Sequence, residues 1–199
     1  MGLIAIPQTP KPLPDRSLEA EGQGEKRKRR SQQRVKRSMS RERYVELMVA
    51  ADTTMATYHG SNLRHYILTL LSIVAMVYRD ASIGNPINIA LVNLHILKAK
   101  DFARKSTNSS SGLSASDMLR NFCKWQRDIN ELDDESPRHH DTALLLTRET
   151  ICRNPWLGKC DTLGLAELGT MCDHYASCAL VQDNGLSAAF TIAHELGHV

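Results

Sequence analysis

No stretch of this 199-residue chain reaches the 18 or so uncharged apolar residues that a membrane helix needs, so no membrane span is expected. The amino terminus, MGLIAIP, meets proline before it can build the roughly 7–15-residue apolar core of a secretory signal. The protein is therefore either cytosolic or preceded by further sequence. No CxxC pair is present, which leaves neither a zinc ribbon nor a dithiol redox motif. Excess positive charge is also missing from most of the chain. Residues 1–43 hold 12 Lys/Arg against 5 Asp/Glu, whereas residues 44–199 carry a net charge of −4. A nucleic-acid binder needs a basic face on its folded part, so no nucleic-acid partner is expected. The remaining balance, 42% hydrophobic and 24% charged, is that of one globular domain with a tail.

The tail is rich in Pro, Gly, Lys, Arg, Ser and Gln and lacks aliphatic periodicity, so it buries too little surface to offset the entropy of ordering. It carries RKRR (Arg27 to Arg30) and RVKR (Arg34 to Arg37), both of the R-x-K/R-R form that an acidic-pocketed proprotein convertase reads. A nuclear localisation signal is the competing use of such a basic run. Two tandem sites standing just before the first core strand favour processing.

Five cysteines, Cys123, Cys152, Cys160, Cys172 and Cys178, fall within 56 residues, and the odd count leaves one unpaired. Their spacing suits structural disulfides in an oxidising compartment better than the scattered buried thiols of a cytosolic protein. Asn108-Ser109-Ser110, in a Ser-rich loop, is an N-glycosylation sequon that agrees with secretion.

Hydrophobic patterning predicts strands over Tyr44 to Asp52, Ile87 to Leu97, Thr142 to Leu146 and Cys178 to Val181. It predicts helices over residues 62–79, over residues 114–130 with Ser114 or Ser116 as cap, and over Leu186 to Val199. Strands alternating with long helices indicate an α/β fold whose sheet is at least partly parallel.

The chain closes on His194-Glu195-Leu196-Gly197-His198-Val199, an H-E-x-x-H motif. Residues four apart on a helix share a face, so both imidazoles can bind one metal ion. Glu195, one step round, can reach a water on that metal without being a ligand and act as its base. A solvated His/Glu face would be the plain alternative, but residues 186–193 read as a mostly apolar core helix. A catalytic zinc takes three protein ligands, and this motif supplies two. The other histidines, His59, His65, His95, His139, His140 and His174, lack paired metal spacing and read as surface or packing residues. Gly197 weakens a helix but does little harm near its end.

From Arg43 to Val199 the chain resembles the amino-terminal two thirds or more of the catalytic domain of ADAMTS proteases, the adamalysin-like metzincins that carry thrombospondin motifs. RYVELMVAAD, HDTALLLTRETIC, CDTLGLAELGTMC, SCALVQDNGLSAAFTIAHELGHV and a convertase-type RVKR just before the first strand carry the resemblance. It implies a metzincin-like α/β fold with a mixed, mostly parallel sheet, and a secreted zinc endopeptidase of the extracellular matrix, made as a zymogen, with its signal upstream. Residues 1–37 would end the propeptide, and residues 38–199 would form a catalytic domain that continues past Val199. It further implies Cys123–Cys178 and Cys152–Cys160 disulfides, worth about 4 and about 2.5 kcal/mol on a chain-entropy account, with Cys172 paired to a cysteine beyond Val199.

The same resemblance assigns Glu46, Asp134 and Asp141 to structural calcium, a hard cation suited to oxygen ligands. Glu46 lies inside an apolar strand, where a carboxylate needs a metal or a partner, and an ion pair with Arg43 or Arg148 is the alternative. Thr150 and Gln182 stand where some members carry acids, which removes support for a further calcium site. The stretch Thr162 to Glu167 matches the edge strand that receives extended substrate, with Gly164 and Leu165 at its centre and Gly164 admitting the substrate backbone.

The function expected is hydrolysis of matrix proteins such as proteoglycans or procollagens by metal-activated water, with Glu195 as general base. A catalytically inactive fragment with only a binding role is the alternative, and an intracellular protein using its tail for nuclear import is a third. With two nitrogen ligands, the 199-residue chain by itself should bind zinc weakly and hydrolyse nothing detectable. Processing is expected after Arg37 rather than Arg30, because a cut after Arg30 leaves a basic overhang before the first strand. Amino-terminal sequencing of secreted protein should find Ser38 first; a start at Ser31 would overturn this.

Overall fold

The computed structural model describes residues 41–98 and 113–199, so Arg30, Arg37 and Asn108 lie outside the described residues. Its centre is a five-stranded sheet built from β1 (Arg43–Ala51), β2 (Ile87–Ile96), β4 (Thr142–Thr147), β6 (Gly164–Ala166) and β7 (Cys178–Gln182). The spatial order is β2-β1-β4-β7-β6; all neighbours are parallel except β6, which pairs antiparallel with β7 at the sheet's edge. A separate two-residue pair joins β3 (Leu113–Ser114) to β5 (Ile151–Cys152).

Strand periodicity divides the core in two. Leu47, Val49, Leu144, Leu146, Ala179 and Val181 face one cluster, while Met48, Ala50, Ala143, Leu145, Cys178 and Leu180 face the other. Parallel strands covered on both faces read as continuous apolar runs, which is why β1 and β4 are legible as strands. The first face is covered by α2 (Leu63–Tyr78) and α4 (Ala188–His198), with Met55 of α1 (Thr53–His59) beside them. In α2 the buried positions Leu63, Ile67, Leu70, Leu71 and Val74 form one helical stripe. The second face is covered by α3 (Ala115–Ile129) through Met118, Leu119, Phe122 and Cys123.

The expected elements stand where the pattern puts them, within one or two residues at their ends. The choice between two caps resolves on Ser114, whose Oγ accepts the Asp117 amide at 3.3 Å, and Ser116 is the second residue of α3. The short α1 is an addition to the expected elements. Asp52 ends β1 and caps α1 at once, taking the amides of Thr54 and Met55 at 3.0 Å and the Thr147 hydroxyl at 2.6 Å.

Two disulfides staple these layers. Cys123–Cys178 ties α3 to β7, and Cys152–Cys160 closes the loop after β5. Cys172 is a free, exposed thiol and adopts a φ of 64°, which is uncommon for a residue with a side chain. Partial desolvation and the Asp141 carboxylate push its thiol pKa up. Alkylation before reduction, followed by peptide mapping, should label Cys172 alone, slowly at neutral pH and faster as pH rises. Label at Cys152 or Cys160 would contradict the pairing.

Candidate metal centre and active site

The site is built on α4. Ala188, Ala189, Ile192 and Leu196 turn inward against the sheet, which rotates His194 and His198 outward to solvent. Their Nε2 atoms converge to 2.9 Å, with the ring planes at 89°. Two imidazole nitrogens brought to one point are the donor type that Zn²⁺ takes, so the residues fit that ion. Among the described residues, α4 contributes these two nitrogen donors. The sequence pattern placed the whole motif on a core helix; the structure buries Glu195, at 7% exposure, and leaves both histidines exposed. Burial pushes the Glu195 carboxyl up, against the opposing influence of His194 and His198.

Both ends of α4 are held by other elements. At its carboxyl end, the amides of Gly169 and Met171 donate to the carbonyls of His198 and Val199 at 2.8 and 2.7 Å, supplying partners that a helix end otherwise lacks. In the middle, the Tyr78 hydroxyl of α2 donates to the Ala193 carbonyl at 2.8 Å. At its start, Asp183 governs the turn from β7. The fully buried carboxylate accepts hydrogen bonds from the Tyr66 hydroxyl at 2.5 Å and the Gly185 amide at 3.1 Å. It also pairs with Arg148 at 2.5 Å and with His59 at 3.1 Å. His59 stacks on Tyr66, and the Arg148 guanidinium lies 3.6 Å over the Tyr58 ring. Burial alone would raise the Asp183 pKa, but the bonds from Tyr66, His59 and Arg148 outweigh it and hold the carboxyl below its ordinary range.

Gly164 and Leu165 lie in β6, the antiparallel edge strand, and the side chain of Glu195 packs directly against Gly164. Asp134 and Asp141 come together with His139: their ligand atoms lie within 4.8 Å of one another, with His139 Nε2 at 3.3 Å from Asp134 and 3.8 Å from Asp141. The Nδ1 of His139 sits 2.7 Å from the Glu131 carbonyl. Glu46 meets this region through its backbone, its amide donating to Asp141 at 2.8 Å and its carbonyl accepting the Asp141 amide at 2.9 Å; the carboxylate of Glu46 is not part of the group. Arg148, one of the two partners considered for Glu46, pairs with Asp183 instead. Sequence reasoning missed Asp183, Tyr66 and Tyr78, and it named His59 and Arg148 without their partnership with Asp183; the local signal was an acid and an arginine at the ends of apolar strands.

An α/β sheet with an H-E-x-x-H helix packed beside an antiparallel edge strand defines a metallopeptidase-type domain. The chain belongs to metallopeptidase family M12, as an ADAMTS-type catalytic domain: residues 41–199 match Reprolysin_5, described as "Metallo-peptidase family M12". It is 55% identical over 166 residues to "A disintegrin and metalloproteinase with thrombospondin motifs 20" of Mus musculus, covering 83% of this chain and 8% of that protein. It is 55% identical over 156 residues to the gon-1 protein of the same description in Caenorhabditis elegans, covering 78% and 7%. Against the human protein numbered 15 in the series it is 48% identical over 178 residues, covering 89% and 18%. The chain thus spans less than a fifth of the length of these curated relatives. A chain in "Structure of a chaperone-substrate complex" shares the fold, with a TM-score of 0.54 at 9% identity, over 79% of this chain and 23% of that one.

The Asp183 network has a signed pH consequence. A carboxyl whose folded pKa is depressed contributes stability above its unfolded value of about 3.9, and that contribution is lost as pH falls through the folded value. Asp183→Asn should therefore lower stability at pH 7 by about 3 kcal/mol, the scale of breaking a buried charge network. It should also flatten the fall in stability below about pH 4. Urea unfolding between pH 2 and 7 reads both effects; an unchanged acid limb would show that Asp183 is not the titrating group.

Proposed function

We propose that this chain is the zinc-binding part of a secreted endopeptidase that hydrolyses extracellular-matrix proteins. The observation that carries the reading is the convergence of the His194 and His198 Nε2 atoms at 2.9 Å, with the buried Glu195 between them in sequence. Zn²⁺ at such a site, completed by a third protein ligand, brings the pKa of a bound water towards about 7 and polarises a carbonyl. The chain's own residues supply the rest. Glu195, its pKa raised by burial, takes the proton of the attacking water on a carboxylate oxygen and returns it to the departing amine nitrogen. The open edge of β6 at Gly164 and Leu165 pairs with an extended substrate and orients its scissile carbonyl.

Several further assignments belong to this reading. Residues 1–37 end a propeptide that a convertase removes at Arg37 or Arg30, residues 38–199 belong to the catalytic domain, and Asn108 is glycosylated. The two disulfides support an oxidising compartment. Cys172, free here, pairs with a cysteine beyond Val199. Structural calcium is assigned to Asp134 and Asp141, with Glu46 as a further carboxylate on the adjoining strand. The convergence of the two aspartates supports it, while the His139 nitrogen is a poor donor for that cation. The alternative reading is a catalytically inactive fragment with only a binding role.

With the third ligand supplied by the rest of such a domain, Glu195→Ala should keep the metal and lose about 10²–10⁴-fold in kcat, because the carboxylate is a base and not a ligand. His194→Ala should lose both metal and activity. Zinc stoichiometry and hydrolysis of a quenched matrix-derived peptide separate the two. Near-full turnover in Glu195→Ala would overturn the mechanism, and no turnover in the parent would favour the binding-only reading.

A further inference from the structure

Gly164 is the one residue of β6 without a side chain at the point where that strand faces α4. Its backbone does not require glycine. The left-handed glycines among the described residues are Gly60, Gly84, Gly158, Gly169 and Gly185, and Gly164 is not among them. An alanine would meet no conformational barrier there. A Cβ built on it, however, would lie 2.7 Å from Glu195 Cγ and 2.8 Å from Cδ, and all three of its nearest neighbours are Glu195 atoms. Carbon atoms at van der Waals contact stand about 3.5–4.0 Å apart, so one of the two groups would have to move. The Gly164 Cα is held in the sheet by pairing with Val181, and its carbonyl is fixed by the Thr162 hydroxyl at 2.7 Å. The Glu195 carboxylate is the movable partner, the end of a side chain with rotatable bonds.

We infer that Gly164 is a positioning residue for Glu195: its missing Cβ is the space in which the carboxylate is seated, so the edge strand itself sets where the proposed base stands. The inference rests on the reading of Glu195 as general base, and it deepens that reading. It gives this glycine a second role, directed inward, beside the admission of a substrate backbone expected of the same edge. Displacing a reacting group by about 1 Å costs on the order of 10²-fold in rate, so one methyl on the opposite element reaches the chemistry without touching substrate or metal.

A double-mutant cycle over Gly164→Ala and Glu195→Ala tests this in the 199-residue chain. Where no clash exists, replacing glycine by alanine at a compatible position favours the folded state about 2- to 5-fold by restricting the unfolded chain. That gain should appear in the Glu195→Ala background, where Cγ, Cδ and both oxygens are gone. In the parent it should be absent or reversed, so the two backgrounds should differ several-fold in unfolding equilibrium constant. Zinc stoichiometry should be the same with and without the Gly164→Ala substitution, since neither histidine is displaced. With the domain completed and active, Gly164→Ala should lower kcat about 10²-fold in the parent and cause no comparable further loss in the Glu195→Ala background. Equal stability effects in both backgrounds, or full kcat in Gly164→Ala, would overturn the inference. A several-fold coupling without turnover in any variant would uphold the seating of the carboxylate and sink the protease reading instead.

Discussion

The buried carboxylate of Asp183 is the constraint on which the site depends. One fully buried negative charge takes bonds from α1 through His59, from α2 through Tyr66, from the residue after β4 through Arg148, and from the turn that launches α4. A charge without those donors would cost several kcal/mol to bury, so the four elements either meet there together or the arrangement fails. Because all the partners lie at the carboxyl ends of parallel strands or on the helices of one face, their convergence fixes the direction in which α4 leaves the sheet.

Direction then decides exposure. With Ala188, Ile192 and Leu196 committed to the core, the 100° step of a helix leaves His194 and His198 in solvent and Glu195 at the boundary. A single motif therefore contains two environments: exposed nitrogens able to exchange a ligand, and a desolvated carboxyl whose proton affinity is raised. The loop between β6 and β7 holds the carboxyl end of the same helix through Gly169 and Met171, so the edge strand and the histidines belong to one braced unit.

The buried strands and the two long helices were legible because a parallel sheet covered on both faces leaves continuous apolar runs, and long helices repeat their stripe several times. Helix α1 was not, since seven residues hold too few turns for a period to register; Asp52-Thr53-Thr54 carried a cap signal that passed for a strand end. The histidine pair was legible from spacing alone, because its partners lie on one helix. The Asp183 network was not: its partners are 124, 117 and 35 residues away, and only the fold brings them together. The reason for Gly164 was hidden likewise, since glycine in a strand looks the same whether it serves a turn, a ligand or, as here, a side chain from a distant helix.

The three-residue length of β6 has a consequence for the molecule among its own copies. An unpaired sheet edge accepts any extended chain, and a neighbouring molecule's edge is as extended as a peptide. A long, flat edge would therefore invite strand-to-strand association as concentration rises. Three residues, running antiparallel to the rest of the sheet, offer too few main-chain bonds to hold two folded domains together. A flexible peptide can continue its contacts beyond the strand, whereas a rigid copy cannot follow it there. Shortness thus limits strand-to-strand pairing at this edge, in contrast to the ten-residue β2 at the opposite edge of the sheet.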